Sequence, residues 1–240
     1  MKTAIVLGVG PDRGMGAQLC HRAAKDDYHT FVAGRTLEKV QAVASSINNA
    51  GGNATAVQVD ATNEDEVVSL FAQAAKIGPL NLAIYNAGNA SMGPIETMEK
   101  EFFEDAWRVC CLGGFLFGRE GVRRMKETGG GTILFTGASA SLRGVSNFGA
   151  FNSGKAALRA FCQALSKEYG KDRIHVGHVV IDGAIDGEKI RNLAPDYADS
   201  LGDDGMISID SIVDAYEYLW RQPPSGWSFE IDIRTAIENW

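Results

Sequence analysis

The sequence predicts an α/β chain folded around a doubly wound parallel sheet, and three observations predict it. Short apolar runs alternate with stretches of helical periodicity from one end to the other, the pattern of strands covered on both faces by helices. The first apolar run, Ala4 to Leu7, passes straight into the turn Gly8-Val9-Gly10-Pro11-Asp12-Arg13-Gly14-Met15-Gly16 and then into a helical pattern. Gly10, Arg35, Asp60, Asn86, Ser139 and Gly183 each fall just after a strand-like run. In open parallel sheets ligands lie outside the carboxyl ends of the strands, so these residues converge on one site.

Taken in order, Met15 to Lys25 reads as a helix and His29 to Ala33 as the second strand. Thr36 caps a helix to about Asn49, stopped by Gly51-Gly52. Ala54 to Val59 is the third strand, followed by a helix with Thr62 as its cap. Glu64, Asp65 and Glu66 oppose that helix dipole, and Gly78-Pro79 ends it. Leu82 to Tyr85 is the fourth strand, and one long helix covers Glu99 to Lys126. Thr132 to Thr136 and His175 to Ile181 are strands five and six, flanking a helix from Phe148 to Tyr169. Leu158, Phe161 and Leu165 form a stripe on that helix which fits a core or an interface equally well. Ser208 caps a last helix to about Arg221, and Phe229 to Ile233 is the final strand.

The 240 residues suffice for one large domain, and no Pro-, Ser- or charge-rich linker divides residues 1–240. A formal charge of -7 and a pI near 5.2 oppose nucleic acid and anionic membranes as partners. The apolar start is too short for a signal peptide and no run is long enough to span a bilayer. Cys20, Cys110, Cys111 and Cys162 have neither metal-ligand spacing nor a disulfide framework, so the expected location is cytoplasmic. His175 and His178 point to opposite faces of a strand, which argues against a shared metal and predicts one core and one surface histidine. Cys110 and Cys111 sit side by side on a helix and read as inert thiols.

A strand, a glycine-rich turn and a helix N-terminus make a phosphate cradle, since the turn's N–H groups and the helix dipole both face the anion. Counted from Gly8, the pattern G-x-G-x-x-G fails at Arg13; counted from Gly10, G-x-x-x-G-x-G is complete through Gly14 and Gly16. The chain resembles the short-chain dehydrogenase/reductase family over essentially its whole length, on this turn, Asp60, Asn86-Ala87-Gly88, Lys155 and Gly183. The resemblance implies a Rossmann-type sheet of about seven strands, a homodimer or homotetramer, and a substrate lid around residues 186–205. It also implies that Gly10, Gly14 and Gly16 hold a pyrophosphate, Asp60 the adenine, Asn86-Ala87-Gly88 the adenosine ribose and Lys155 the nicotinamide ribose. Met15, Thr36, Ala61 and Ile185 complete the implied cofactor contacts.

Cofactor choice turns on the end of the second strand, where an acid would grip a free ribose 2′-hydroxyl. Gly34-Arg35-Thr36 stands there instead, and Arg35 with Arg13 suits a 2′-phosphate, so NADP is expected over NAD. The catalytic positions depart from the family. Its tyrosine, one helical turn before the lysine, is Phe151; its serine falls on Ala138 or Ser139; its helix asparagine falls on Cys110. The Pro-Gly after the sixth strand becomes Asp182-Gly183, and an expected threonine is Gly187. Two functions follow: a NADP-dependent oxidoreductase acting on a small carbonyl or conjugated C=C with a non-standard proton donor, or a NADP-binding sensor without turnover. Lys155 on the nicotinamide side favours the enzyme. A Ser139-Asn152-Lys155 hydrolase site lacks the sharp serine elbow that such chemistry uses.

Overall fold

Strand β1 (Thr3–Leu7) is buried at all five positions and forms the middle of the sheet, because an apolar run with no polar alternation can only sit between two covering layers. The computed structural model describes residues 1–88, 90 and 92–238. After β1 come α1 (Met15–Lys25), β2 (His29–Gly34), α2 (Leu37–Asn49), β3 (Asn53–Gln58), α3 (Glu64–Ile77) and β4 (Leu80–Tyr85). Then follow α4 (Lys100–Trp107), a π-helical turn over Arg108–Leu112, α5 (Gly113–Thr128), β5 (Gly131–Thr136), α6 (Gly149–Tyr169) and β6 (Ile174–Asp182). The last third holds β7 (Ile185–Asp186), α7 (Glu188–Leu193), α8 (Pro195–Ser200), β8 (Ile207–Ser208), α9 (Ile209–Trp220) and β9 (Glu230–Arg234).

Seven strands form one parallel sheet in the order β3-β2-β1-β4-β5-β6-β9. The order reverses between β1 and β4, which opens a crevice at their carboxyl ends. Two cores sandwich the sheet. One joins Val6, Ile84 and Leu134 to Leu19 of α1, Val43 of α2 and Tyr216 of α9. The other joins Leu7, Tyr85 and Phe135 to Phe71 of α3, Phe117 of α5 and Leu158 of α6. Leu158 and Leu165 therefore belong to the core, with Phe161 packed against it. The expected α/β fold, a seven-stranded Rossmann-type sheet in a single domain, is the fold observed.

Four expectations are corrected by local geometry. Asn63, not Thr62, caps α3: its side chain accepts from the Glu66 N–H, while Glu66 Oε1 accepts from Asn63 Nδ2 at 2.9 Å. The Thr62 hydroxyl turns back to Asp60. Thr36 precedes α2 without a side-chain cap bond. The long helix after β4 is broken by its π turn, which 3.6-residue periodicity cannot reveal; the Val109 carbonyl in the turn accepts from the Tyr85 hydroxyl at 2.5 Å. Finally, His178 is not a surface residue. β9 pairs alongside β6 and α6 covers it, so both His175 and His178 are buried.

Within the expected lid, β7 and β8 pair as a two-stranded ribbon, and α7 and α8 lie between them. Arg191 Nε donates to Asp186 Oδ1 at 2.6 Å across the base of α7. Among the described residues no helix is long and apolar enough to cross a membrane.

Candidate functional site

At the switch between β1 and β4 lies a cleft of about 490 Å³. Its floor is the turn after β1, and one glycine there has no substitute. Gly8 has φ +106°, and a Cβ on it would stand 2.3 Å from the Ala87 nitrogen. The conformational burden therefore falls on Gly8, outside the pattern counted from Gly10. At Gly16 a Cβ would meet the Gly8 carbonyl and Asn86 Nδ2 at 2.9 Å, so this glycine allows α1 to approach the turn. Gly10 has nothing within 4 Å of its missing Cβ and lines the open cleft. Gly14 begins α1, with its N–H donating to the Pro11 carbonyl at 2.9 Å, and Met15 packs into the core.

Asn86 fixes the turn. Its Nδ2 donates to the Gly8 carbonyl at 2.9 Å, and its Oδ1 accepts from the Thr136 hydroxyl at 3.0 Å. With that proton committed, the Thr136 oxygen accepts from the buried Tyr216 hydroxyl at 2.6 Å. Ala87 and Gly88 line the cleft beside it.

At the outer end Asp60 and Ala61 form one wall. The Thr62 N–H and hydroxyl both donate to Asp60 Oδ1, at 2.8 and 2.9 Å, and leave Oδ2 with no protein partner among the described residues. Beside this wall, at the end of β2, the lining carries Gly34, Arg35, Thr36 and Lys39. Lys39 escaped the sequence reading, although its position one turn after Arg35, at the start of a helix beginning at the strand's carboxyl end, carries the signal. Arg13 is a correction: it is exposed, does not line the cleft, and its charge acts on Asp186 instead. Glu188, Asn192 and Leu193 of α7 close the cleft from above. The resemblance implied a lid over this segment but did not single out these residues.

Lys155, 3 % exposed, does not line the cleft but lies directly behind its Gly88 wall. Its ammonium donates to the Thr136 carbonyl at 2.6 Å, which leaves two N–H donors without a protein partner among the described residues. Gly88 makes room for it, since a Cβ there would stand 3.2 Å from Nζ. Burial pushes the lysine pKa down, partly opposed by the Cys110 and Cys162 thiols. Burial also pushes the Cys110 thiol up, with Lys155 opposing. Cys110 is on the π turn, and Gly154 lets that turn approach, because a Cβ there would meet Cys110 Cβ at 2.9 Å. The Phe151 ring centroid is 5.8 Å from Lys155 Nζ. Spare donors on a buried ammonium, an open glycine cradle and a half-free carboxylate fit a dinucleotide with its sugar and adenine at opposite ends.

Ser139 is half-buried, and its hydroxyl has no hydrogen-bond partner among the described residues. Asn152 is fully engaged elsewhere: Nδ2 donates to the Ala140 and Arg143 carbonyls at 3.1 and 2.6 Å, and Oδ1 accepts from the Val145 N–H. It ties the segment after β5 to α6 and is not placed to serve a nucleophile. Gly183, at φ +149°, and Ile185 follow β6 beyond the lining of the cleft, Ile185 packing against the core. Behind Lys155, His178 Nδ1 donates to Glu230 Oε2 at 2.8 Å, and Arg159 clamps the same carboxylate with Nε and Nη2 at 2.6 and 2.8 Å. Burial pushes the His178 pKa down to about 4, against the pull of Glu230.

A family model described as short chain dehydrogenase matches residues 2–197. The chain belongs to this family. An uncharacterized oxidoreductase of Bacillus subtilis, YuxG, is 32% identical over 190 residues, which are 78% of this chain and 28% of that protein. The chain therefore spans under a third of that relative. Trihydroxynaphthalene reductase PfmaI of Pestalotiopsis fici is 26% identical over 238 residues, covering 98% of this chain and 81% of the relative. The crystal structure of a short-chain dehydrogenase from Rhodopseudomonas palustris superposes with a TM-score of 0.83 at 35% identity, covering 97% of this chain and 98% of that one. Family membership makes the chain an oxidoreductase for which NAD(P) is the expected cofactor.

Proposed function

We propose that the chain is a NADP-dependent reductase of a small carbonyl or conjugated C=C substrate that works without a phenolic proton donor. The observation that carries it is Lys155, a buried ammonium with two unspent donors behind the Gly88 wall of the cleft. A protein that only sensed the adenosine half would have no use for a cation buried at that depth. Arg35 and Lys39, which line the cleft after β2 where Glu38 does not, support the 2′-phosphate. By family resemblance Phe151 takes the tyrosine's place, and its position one turn before Lys155 agrees.

When bound, the nicotinamide supplies a hydride, with its electron pair, to an electrophilic carbon of the substrate. The chain's own work is positional. Gly8, Gly10 and Asn86 hold the pyrophosphate turn, Asp60 Oδ2 takes the adenine amine, and Lys155 grips the nicotinamide ribose. The proton that completes reduction comes from water or the free Ser139 hydroxyl. This suits a conjugated acceptor, whose delocalised charge can wait for a proton. Gly14 and Gly16 then shape the turn that holds this cofactor and contribute no catalytic group.

The exposed Phe102, Phe103, Trp107 and Phe115 on α4 to α5 support assembly into a homodimer or homotetramer. Loss of NADPH absorbance in the presence of ketones, aldehydes and enones tests the activity. Turnover of any class supports it, whereas tight NADPH binding with no turnover supports the sensor.

A further inference from the structure

Arg143 and Asp182 form an ion pair that the cofactor does not explain. Asp182 ends β6, where its side chain is 2% exposed, so its charge is removed from water. It shares strand parity with His178, whose Glu230 partner is clamped by Arg159 of α6, so Asp182 lies on the α6 face of the sheet. Arg143 reaches it from the segment after Ser139. The Arg143 N–H donates to the Ser139 carbonyl at 3.0 Å, and its own carbonyl accepts from Asn152, the residue after Phe151. The arginine is thus fixed between Asn152 of α6 through its backbone and Asp182 through its side chain, at the carboxyl ends of β5 and β6.

The geometry of the pair is unlike that of a structural clamp in the same molecule. Arg159 uses both Nε and Nη2 on the two oxygens of Glu230, spending a whole edge of the guanidinium. Arg143 spends only Nη2, at 2.8 and 3.0 Å from the two Asp182 oxygens. Its Nε and Nη1 have no protein partner among the described residues, and the side chain remains 34% exposed. A buried carboxylate holding an arginine by one nitrogen fixes the guanidinium while leaving its other donors to meet a ligand.

We propose that Arg143, oriented by Asp182, binds an anionic oxygen group of the substrate, so that the reducible carbonyl or C=C belongs to a carboxylate-bearing molecule. It rests on the reductase activity proposed above and adds the substrate class to it. The Asp182 charge keeps the pair neutral when the site is empty, and the anion then meets a cation whose position is already set.

The test uses two probe pairs, 4-oxopentanoate and trans-4-oxo-2-pentenoate, each against its methyl ester, with NADPH. Wild type should reduce at least one acid with kcat/KM about tenfold or more above its ester. Arg143→Gln should remove that preference through KM, and Arg143→Lys should keep part of it. Calorimetric binding of the same four compounds to the NADP⁺ complex requires no turnover and separates the two claims. Acid binding that Arg143→Gln abolishes, without turnover, keeps the anion site and sinks the reductase. Turnover of acid and ester alike, or a preference that survives in Arg143→Gln, overturns the anion site and leaves the reductase. Melting temperatures identify a variant that merely unfolds. Asp182→Asn should weaken acid binding in the native protein; an unchanged affinity would contradict the orienting role.

Discussion

Replacing Arg35 with aspartate should exchange the cofactor preference, and the structure sets the size of the effect. Arg35 and Lys39 stand one turn apart on the cleft wall proposed to meet the adenosine ribose, both exposed. A hydrogen bond to a charged group is worth about 1.5 to 3 kcal/mol, and solvent screening places an exposed one at the lower end. Losing one such contact should raise the NADPH dissociation constant about tenfold, and losing both about a hundredfold, at 1.4 kcal/mol per decade. NADH, which lacks the phosphate, should be little affected by Lys39→Ala. Arg35→Asp should bind NADH more tightly, because a carboxylate there can accept from the ribose 2′-hydroxyl. Fluorescence titrations of wild type, Lys39→Ala and Arg35→Asp with both cofactors, at low and high salt, give these constants directly. The NADPH preference of wild type should shrink with added salt. Equal affinity of wild type for the two cofactors, or a parallel loss for both in Arg35→Asp, would refute the assignment of this wall to a 2′-phosphate.

The Phe151→Tyr substitution should raise ketone reduction, with about 10²- to 10⁴-fold as the ceiling for a restored general acid and a smaller gain where Ala138 and Cys110 leave the phenol poorly partnered. An unchanged ketone rate alongside a lowered enone rate would show that the ring packs the substrate and that the position does not supply protons. Stability should fall with pH on the acid side. His178 titrates near 6.5 when unfolded and about 4 when folded, so the unfolded state takes up its proton first. The loss across that window is about 3 kcal/mol. Glu230 of β9 and Arg159 and Lys155 of α6 face this histidine; the Glu230 pKa is held below the usual range by Arg159, so its own contribution is lost only at lower pH. Melting temperatures from pH 7 to 4 should show a shallower slope in His178→Gln, and identical slopes would count against the burial argument. Gly8→Ala should abolish cofactor binding or folding, because the new methyl would collide with the Ala87 backbone. Retained NADPH affinity in a folded Gly8→Ala would be incompatible with this turn. Light scattering should give a mass at least twice 25.7 kDa, and a monomer would dismiss the proposed assembly.

The sheet was legible because each strand is an apolar run bounded by its own turn residues, and burial on both faces leaves no other pattern. Helix positions were equally clear where cap and periodicity agree, as in α9 with Ser208. What escaped depends on contacts between residues remote in sequence. The π turn exists because Tyr85 reaches the Val109 carbonyl and Gly113 and Gly154 let neighbouring groups approach, and none of this changes the spacing of apolar residues. One of His175 and His178 was expected to face solvent, but both are buried. In the site, residues that follow strands directly were found, including Asp60, Asn86 and Arg35. Lys39 and the α7 lining were missed, because they reach the cleft only once helices are placed. Arg13 was wrongly aimed, since its position in the turn says nothing of which side its chain takes. Arg143 and Asp182 lie far apart in sequence and carried no joint signal, although Asp182 already stood out as a replacement for proline.

Hydride transfer itself is the most direct test. Wild type would be incubated with NADPH deuterated at the transferable position and a mixture of ketones, aldehydes, enones and their carboxylate-bearing analogues, and the products read by mass spectrometry. A product carrying one deuterium on the reduced carbon is the expected result, at a rate that depends on Lys155 and survives without a phenol at position 151. Saturating NADPH binding with no labelled product, in wild type and in Phe151→Tyr alike, would contradict the reductase and leave a nucleotide-binding protein.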